Sequence, residues 1–470
     1  MSYLLVVVPF FTIILINLLP KKVREPISFF VLLAIFTIEI VAVFLLPFKF
    51  FSSMTLFKFQ QIFGFNFYLE KIGIVLLLSA GLVFLSALFV SRFTIKSEEA
   101  RFNLKNLLLI ALIGVNGIAL VTDIFSLYVF IEITAIASFI LISLFGGRDA
   151  YEATWKYLVL SVIASVLMLS AIALLLFIST GTSFGEIRIG LESSSSSFIP
   201  KLAVALFISG LFIKGGLVPF HGWLPDAYSA APASVSVLLA GIITKAVGIY
   251  ALIRILTGVV GLTAPLQTIL LIIGTISILI GAFAAIGQGN MKRMLAYSSI
   301  SQIGYIIVGL GVGTKLGLFA AMFHFFNHAV FKAQLFANAA ALEEKLGKTD
   351  MEGMGGLAEK MPVTGVTSIL ASLSTAGVPP LSGFWSKFLI IVALWLGGYY
   401  VYAVIAVTAS VITLAYFLTL QRRVFFGKLP PELEGVKEVS FGLLAPALLL
   451  SGITVLVGLL FPFAWRVFVG

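Results

Sequence analysis

Lys214 stands inside the apolar stretch Phe207–Gly216, Lys245 inside Gly241–Tyr250, and Glu132 inside Tyr128–Phe145. A charge held in hydrocarbon costs about 3 kcal/mol even on lenient insertion scales, so it persists where it is paired or lines a hydrated cavity. Opposite charges at Glu132 and Lys214 on neighbouring spans suit a pair in a bundle interior. A purely structural pair that fixes helix packing is the competing reading. Low dielectric disfavours an ammonium ion, which lets a buried lysine take and release a proton during turnover. His324, His328 and Lys332 are spaced four apart and rise along one stripe of one helix. Neutral imidazole accepts and donates at once, so a stacked pair suits a proton relay. A metal is the rival occupant, but no third Cys, His or carboxylate ligand lies nearby in sequence; packing histidines are the other alternative. Lys387 follows Gly377-Val-Pro-Pro-Leu-Ser-Gly383, where snorkelling to an interface is the alternative. Glu39 has no obvious partner in adjacent apolar runs, and a role in transport and a contact with another subunit both stay open.

The elements that carry these residues read as membrane spans. The chain has 470 residues, 60% of them hydrophobic and 11% charged, with a mean hydropathy of +1.15, which excludes an ordinary soluble domain. Apolar windows long enough to cross about 30 Å of hydrocarbon recur throughout. They are read at 3–19, 27–47, 68–91, 104–121, 124–145, 155–178, 200–220, 231–256, 266–286, 297–313, 317–341, 363–395, 399–420 and 441–468. The first is expected to stay in the mature protein, because Ser2 to Leu19 has neither a charged lead-in nor a small-residue cleavage site. The largest loops, 48–67, 179–199 and 342–362, read as tethers. The net charge of +10 comes from basic residues scattered through short loops, which reports topology rather than a nucleic-acid partner. Assigning odd-numbered loops to the cytoplasm places roughly 18 Lys and Arg there against roughly 8 outside, with both termini outward. There is no cysteine, which excludes disulfides and cysteine-ligated iron–sulfur clusters. No cofactor is expected in this chain, and any electron transfer belongs to another polypeptide.

Pro219 and Pro379-Pro380 interrupt the seventh and twelfth runs, and both breaks read Pro-x-x-Gly-aromatic, Pro219 to Trp223 against Pro380 to Phe384. Proline removes a backbone donor and frees a carbonyl, which brings polar backbone to membrane depth. Breaks five runs apart suggest repeated five-helix units, and an odd number of spans per unit inverts the second relative to the first. The expected fold is therefore an all-α integral membrane protein of about fourteen transmembrane helices, with inverted repeats at helices 4–8 and 9–13 and broken helices 7 and 12. Its expected segments are 1–103, 104–256, 257–420 and 421–470.

The run Lys214-Gly-Gly-Leu-Val-Pro219-Phe-His221-Gly-Trp223-Leu-Pro225-Asp226-Ala-Tyr228, then Ala231-Pro232 and Leu239 to Lys245, resembles the antiporter-like subunits of respiratory complex I. The likeness is greatest to the D-type subunit of Mrp sodium/proton antiporters and to its counterparts in membrane-bound hydrogenases. Gly377 to Lys387, Phe130-Ile-Glu132 and His328 to Lys332 are further matches, across about 120–420. The resemblance implies that Glu132 and Lys214 form the ion pair of a first half-channel and that Lys245 connects it onward. It places His324, His328 and Lys332 along a central hydrophilic axis and gives Lys387 to a second half-channel. Proton or sodium translocation is the implied activity, and the implied partners are other membrane subunits, with nickel–iron or iron–sulfur redox subunits in the hydrogenase-like case. A stand-alone sodium/proton antiporter and a non-transporting scaffold are the alternatives. The chain departs from many relatives at Tyr228, where they carry histidine. It also stops just after the fourteenth run, at Gly470, too soon for a long lateral C-terminal helix.

Overall fold

Backbone amides in lipid must find partners within their own segment, so an apolar chain of this kind resolves into helices. A computed structural model describes residues 3–45, 61–62, 65–66, 68–194 and 197–469. Among the described residues, eleven helices are long and apolar enough to cross a membrane. The chain is an all-α multi-pass membrane protein, apart from the two-residue strands Gln61–Ile62 and Phe65–Asn66. The remainder of the expected tether 48–67, and Gly470, lie outside the described residues.

Local chemistry sets the helix ends. Ser97, Asp123, Asn290 and Thr314 each accept a backbone N–H of the first turn that follows, a contribution of about 1 kcal/mol per cap. At the other end, Gly216 (φ +65°) closes Phe198–Gly215 and Gly377 (φ +88°) closes Pro362–Ala376. Both need the left-handed conformation that glycine adopts without a Cβ penalty. The chain resumes as Trp223–Ala230 and as Ser382–Leu396. Two stretches read as tethers hold regular structure among their described residues. Segment 179–199 holds the helix Phe184–Ser193, opened by a reciprocal Ser183–Glu186 capping box. Beyond helix Lys315–Leu346, Thr349 and Met351 exchange backbone hydrogen bonds with Met291 and Gly289.

Contacts divide the chain into two compact units. One comprises Met1–Leu88, Ile95–Gly216 and Ile242–Leu262. Within it Glu98–Leu120 packs against Leu4–Leu18, Lys21–Leu45 and Ile124–Ser143, while Arg148–Leu176 packs along Phe198–Gly215. The other comprises Phe89–Thr94, Leu217–Gly241 and Thr263–Gly470. Here Lys315–Leu346 is the central rod, touched by Met291–Gly311, Pro362–Ala376, Ser382–Leu396 and Phe441–Val469.

Span Ala233–Val260 departs from α geometry, winding wider in π form over Leu239–Ile243, Lys245–Tyr250 and Leu256–Val260. Such windings are rare and concentrate at functional sites. Within the first unit it meets Phe198–Gly215 glycine to glycine. A Cβ on Gly248 would run into the Gly215 backbone and lie 3.0 Å from the Lys214 carbonyl carbon. Small residues are what let two membrane helices approach this closely. Gly248→Leu is therefore expected to force the two helices apart, at about 1–3 kcal/mol for overpacking. The midpoint of thermal unfolding of the solubilised protein should fall; an unchanged midpoint would remove this contact from the account.

Candidate functional site

In the first unit, Lys214 leaves the last turn of Phe198–Gly215 and is only 1% exposed, while Glu132, on Ile124–Ser143, is 23% exposed. Lys214 Nζ lies 2.9 Å from Glu132 Oε1 and donates to Ser161 Oγ at 2.9 Å. Ser165 Oγ donates to the same carboxylate oxygen at 2.7 Å. Three helices thus converge on one ion pair, with two hydroxyls one helical turn apart on Arg148–Leu176 completing its hydrogen bonds. An ion pair offsets desolvation only when its remaining donors and lone pairs are also used, and the serines do this. Lys245 opens the second π stretch and is fully buried.

In the second unit, His324 and His328 stack with their rings 2° from parallel and 6.4 Å between centroids. His324 Nδ1 shares a 2.9 Å hydrogen bond with Ser386 Oγ. The Tyr305 ring lies beside His324 at 5.8 Å, and Lys387 Nζ sits 4.5 Å over that same ring. Lys387 is 2% exposed, so it is packed in the protein and does not snorkel. Its ammonium reaches the Ala376 carbonyl at 3.4 Å, one of the carbonyls that the last turn of a helix leaves without an intrahelical donor. Tyr305 is itself fixed by donating to Ala406 O at 2.7 Å and lies 2.9 Å from Ser410 Oγ. One turn beyond His328, Lys332 Nζ donates to Leu295 O at 2.9 Å and Ser298 Oγ at 2.8 Å. Tyr416 donates to the same serine oxygen at 2.9 Å.

Sequence reasoning missed the hydroxyls Ser161, Ser165, Ser298, Ser386, Tyr305 and Tyr416. It also missed three buried cations with acidic partners. Lys105 meets Glu25 at 3.0 Å, Arg254 meets Glu70 at 3.2 Å, and Lys292 meets Glu343 at 2.8 Å. Lys105 and Arg254 stood inside apolar runs and were visible on the criterion that found Lys214. Glu39 is buried against Asn116, with Oε2 3.5 Å from Nδ2. Tyr228, where many relatives are expected to have histidine, is buried; it donates to Leu239 O at 3.1 Å and meets the Phe336 ring edge-on. Among the described residues no group of three His, Cys, Asp or Glu could hold a metal ion.

A multi-pass helical membrane protein with an ion pair, stacked histidines and caged lysines at depth defines a class, and comparison with known proteins agrees with it. The model of the family "NADH:quinone oxidoreductase/Mrp antiporter, TM" matches residues 121–413, and the chain belongs to that family. It is 32% identical over 411 residues to the D-type subunit of the Na(+)/H(+) antiporter of Alkalihalophilus pseudofirmus, covering 87% of this chain and 83% of that protein. It is 35% identical over 368 residues to the N-type subunit of the NADH-quinone oxidoreductase of Desulforudis audaxviator, covering 75% and 73%. Among solved structures it is similar to a chain of the membrane-bound sulfane sulfur reductase, an archaeal respiratory membrane complex. That match has a TM-score of 0.89 and 28% identity, and covers 99% of this chain and 95% of the other.

Proposed function

We propose that this chain is the ion-translocating subunit, for protons, sodium or both, of a larger membrane assembly of the Mrp or complex I type. The observation that carries the reading is the Glu132–Lys214 pair, buried on the lysine side and partly open on the glutamate side. A pair that served packing alone gains nothing from an exposed carboxylate, whereas an ion arriving at Glu132 loosens the hold on Lys214. Lys245 passes the disturbance onward in the first unit. His324, His328, Lys332 and Lys387 serve as stations in the second, each responding to the charge of its neighbour.

The architecture proposed for this work is the fourteen-span one, counting Pro362–Ala376 with Ser382–Leu396 as one broken span and Phe198–Gly215 with Trp223–Ala230 as another. Helices 4–8 and 9–13 form the inverted repeats, in segments 104–256 and 257–420, flanked by 1–103 and 421–470. The paired left-handed glycines at Gly216 and Gly377 support that equivalence. Both termini face outward on the basic-residue bias. The named relatives include a component of an antiporter and one of a quinone oxidoreductase, so both kinds of assembly fit. Nickel–iron or iron–sulfur companions among co-purifying proteins would select the redox kind, and small hydrophobic subunits alone the Mrp kind. A single chain that exchanges sodium for protons in liposomes would select a stand-alone antiporter.

Lys214→Ala is expected to abolish coupled ion movement in the reconstituted assembly while the subunits still co-purify. Glu132→Ala should do the same. Undiminished flux in both would assign the charges to packing alone.

A further inference from the structure

We infer that the chain carries a binding site for an anionic phospholipid at the end of helix Tyr400–Val424, its phosphate held by Arg422, Arg423 and Lys428. Helix Tyr400–Val424 turns a line of exposed apolar side chains outward, Val404, Val407, Val411 and Leu418 at steps of three, four and seven. The next positions on that line are Arg422 and Arg423, both exposed. A stripe that faces hydrocarbon along the helix therefore runs directly into a pair of guanidinium groups at the depth of the headgroups.

At that end lies an open cavity of about 460 Å³, lined by Arg422, Arg423 and Lys428 with Glu352 as the one acidic side chain. Its walls are built. Met351 N donates to Gly289 O at 2.9 Å and Ala358 N to Phe425 O at 3.0 Å, so segments 289–291, 349–358 and 425–430 are tied together. Gly356 (φ +60°) sits so close to the last of these that a Cβ there would lie 2.7 Å from Leu429 N. Phe426, 48% exposed, adds an apolar contact at the rim. Among the described residues none of the three cations is engaged in an ion pair.

Basic residues in a last helical turn also complement the helix dipole and follow the topology rule. Those effects account for the three cations taken singly, but not for a cavity shared by all three. A free phosphate offers the same chemistry to the cations; the apolar stripe selects a phosphate that carries acyl chains.

The test uses the full-length chain, purified with whatever subunits stay bound, in phosphatidylcholine nanodiscs doped with spin-labelled phosphatidylglycerol. A motionally restricted phosphatidylglycerol population is expected. The triple variant R422Q/R423Q/K428Q should weaken it about a hundredfold, at roughly 1 kcal/mol per cation near the surface. R422K/R423K should retain it, and an unchanged thermal midpoint in the triple variant separates lost binding from lost folding. Equal restriction of labelled phosphatidylcholine, or full binding by the triple variant, would overturn the site. Displacement of the lipid by inorganic phosphate, or by an acidic segment of a co-purified subunit, would overturn its assignment to lipid.

Discussion

An ammonium ion taken into a helix bundle loses its water, and the bundle has to return what the water supplied. Three of the buried lysines receive that compensation in three different ways. Lys214 is met by a carboxylate and a hydroxyl, Glu132 and Ser161. Lys332 is held by a main-chain carbonyl and a hydroxyl, Leu295 and Ser298, with the Phe417 ring 5.9 Å away. Lys387 rests on an aromatic face and one long contact to a carbonyl, Tyr305 and Ala376. The sequence from full ion pair to ring face is a sequence of weakening local compensation. Within each unit the helix packing brings these partners to the lysines.

The interruptions in the helices belong to the same account. Because Pro362–Ala376 stops at Gly377, the Ala376 carbonyl has no donor four residues on and is left to Lys387. Ser382–Leu396 then starts at an angle that brings Ser386 to His324 and Lys387 to Tyr305. Gly383 makes this possible, since a Cβ there would collide with the Ser374 carbonyl oxygen. The helix break thus both supplies a ligand and aims the residue that uses it.

The charged half of the site was legible in the sequence and the hydroxyl half was not, for a physical reason. A lysine or glutamate in an apolar run violates the cost of burial and so announces itself, as Lys214, Lys245 and Glu132 did. A serine does not, because it satisfies itself cheaply on the carbonyl four residues back. Ser165 does this with Ser161 O while also serving Glu132. Only the fold shows which of the many self-satisfied hydroxyls have a second task. Helix positions were readable from apolar length, yet the π winding around Lys245 was not, since periodicity over so short a stretch cannot separate 3.6 residues per turn from a wider one. Helix Phe184–Ser193 was hidden by a loop-like composition, although its Ser183-x-x-Glu186 capping box stood in plain view.

Burial alone does not separate a responsive charge from a structural one, and the described lysines differ in how fully they are compensated. Lys105 is as buried as Lys387, but it meets Glu25 through both the carboxylate, at 3.0 Å, and the main-chain carbonyl, at 2.7 Å, and Ser28 at 3.2 Å. Arg101 reaches the same carboxylate oxygen at 2.8 Å. Lys105 thus has a carboxylate, a carbonyl and a hydroxyl as partners, and removing the carboxylate leaves a buried ion poorly compensated. Lys387 has no ion pair among the described residues, and its one hydrogen bond is long. Among the described residues its compensation is incomplete, so the energy of its charge depends on its surroundings. The energy of a charge in that condition is more sensitive to its surroundings than that of a charge held as Lys105 is.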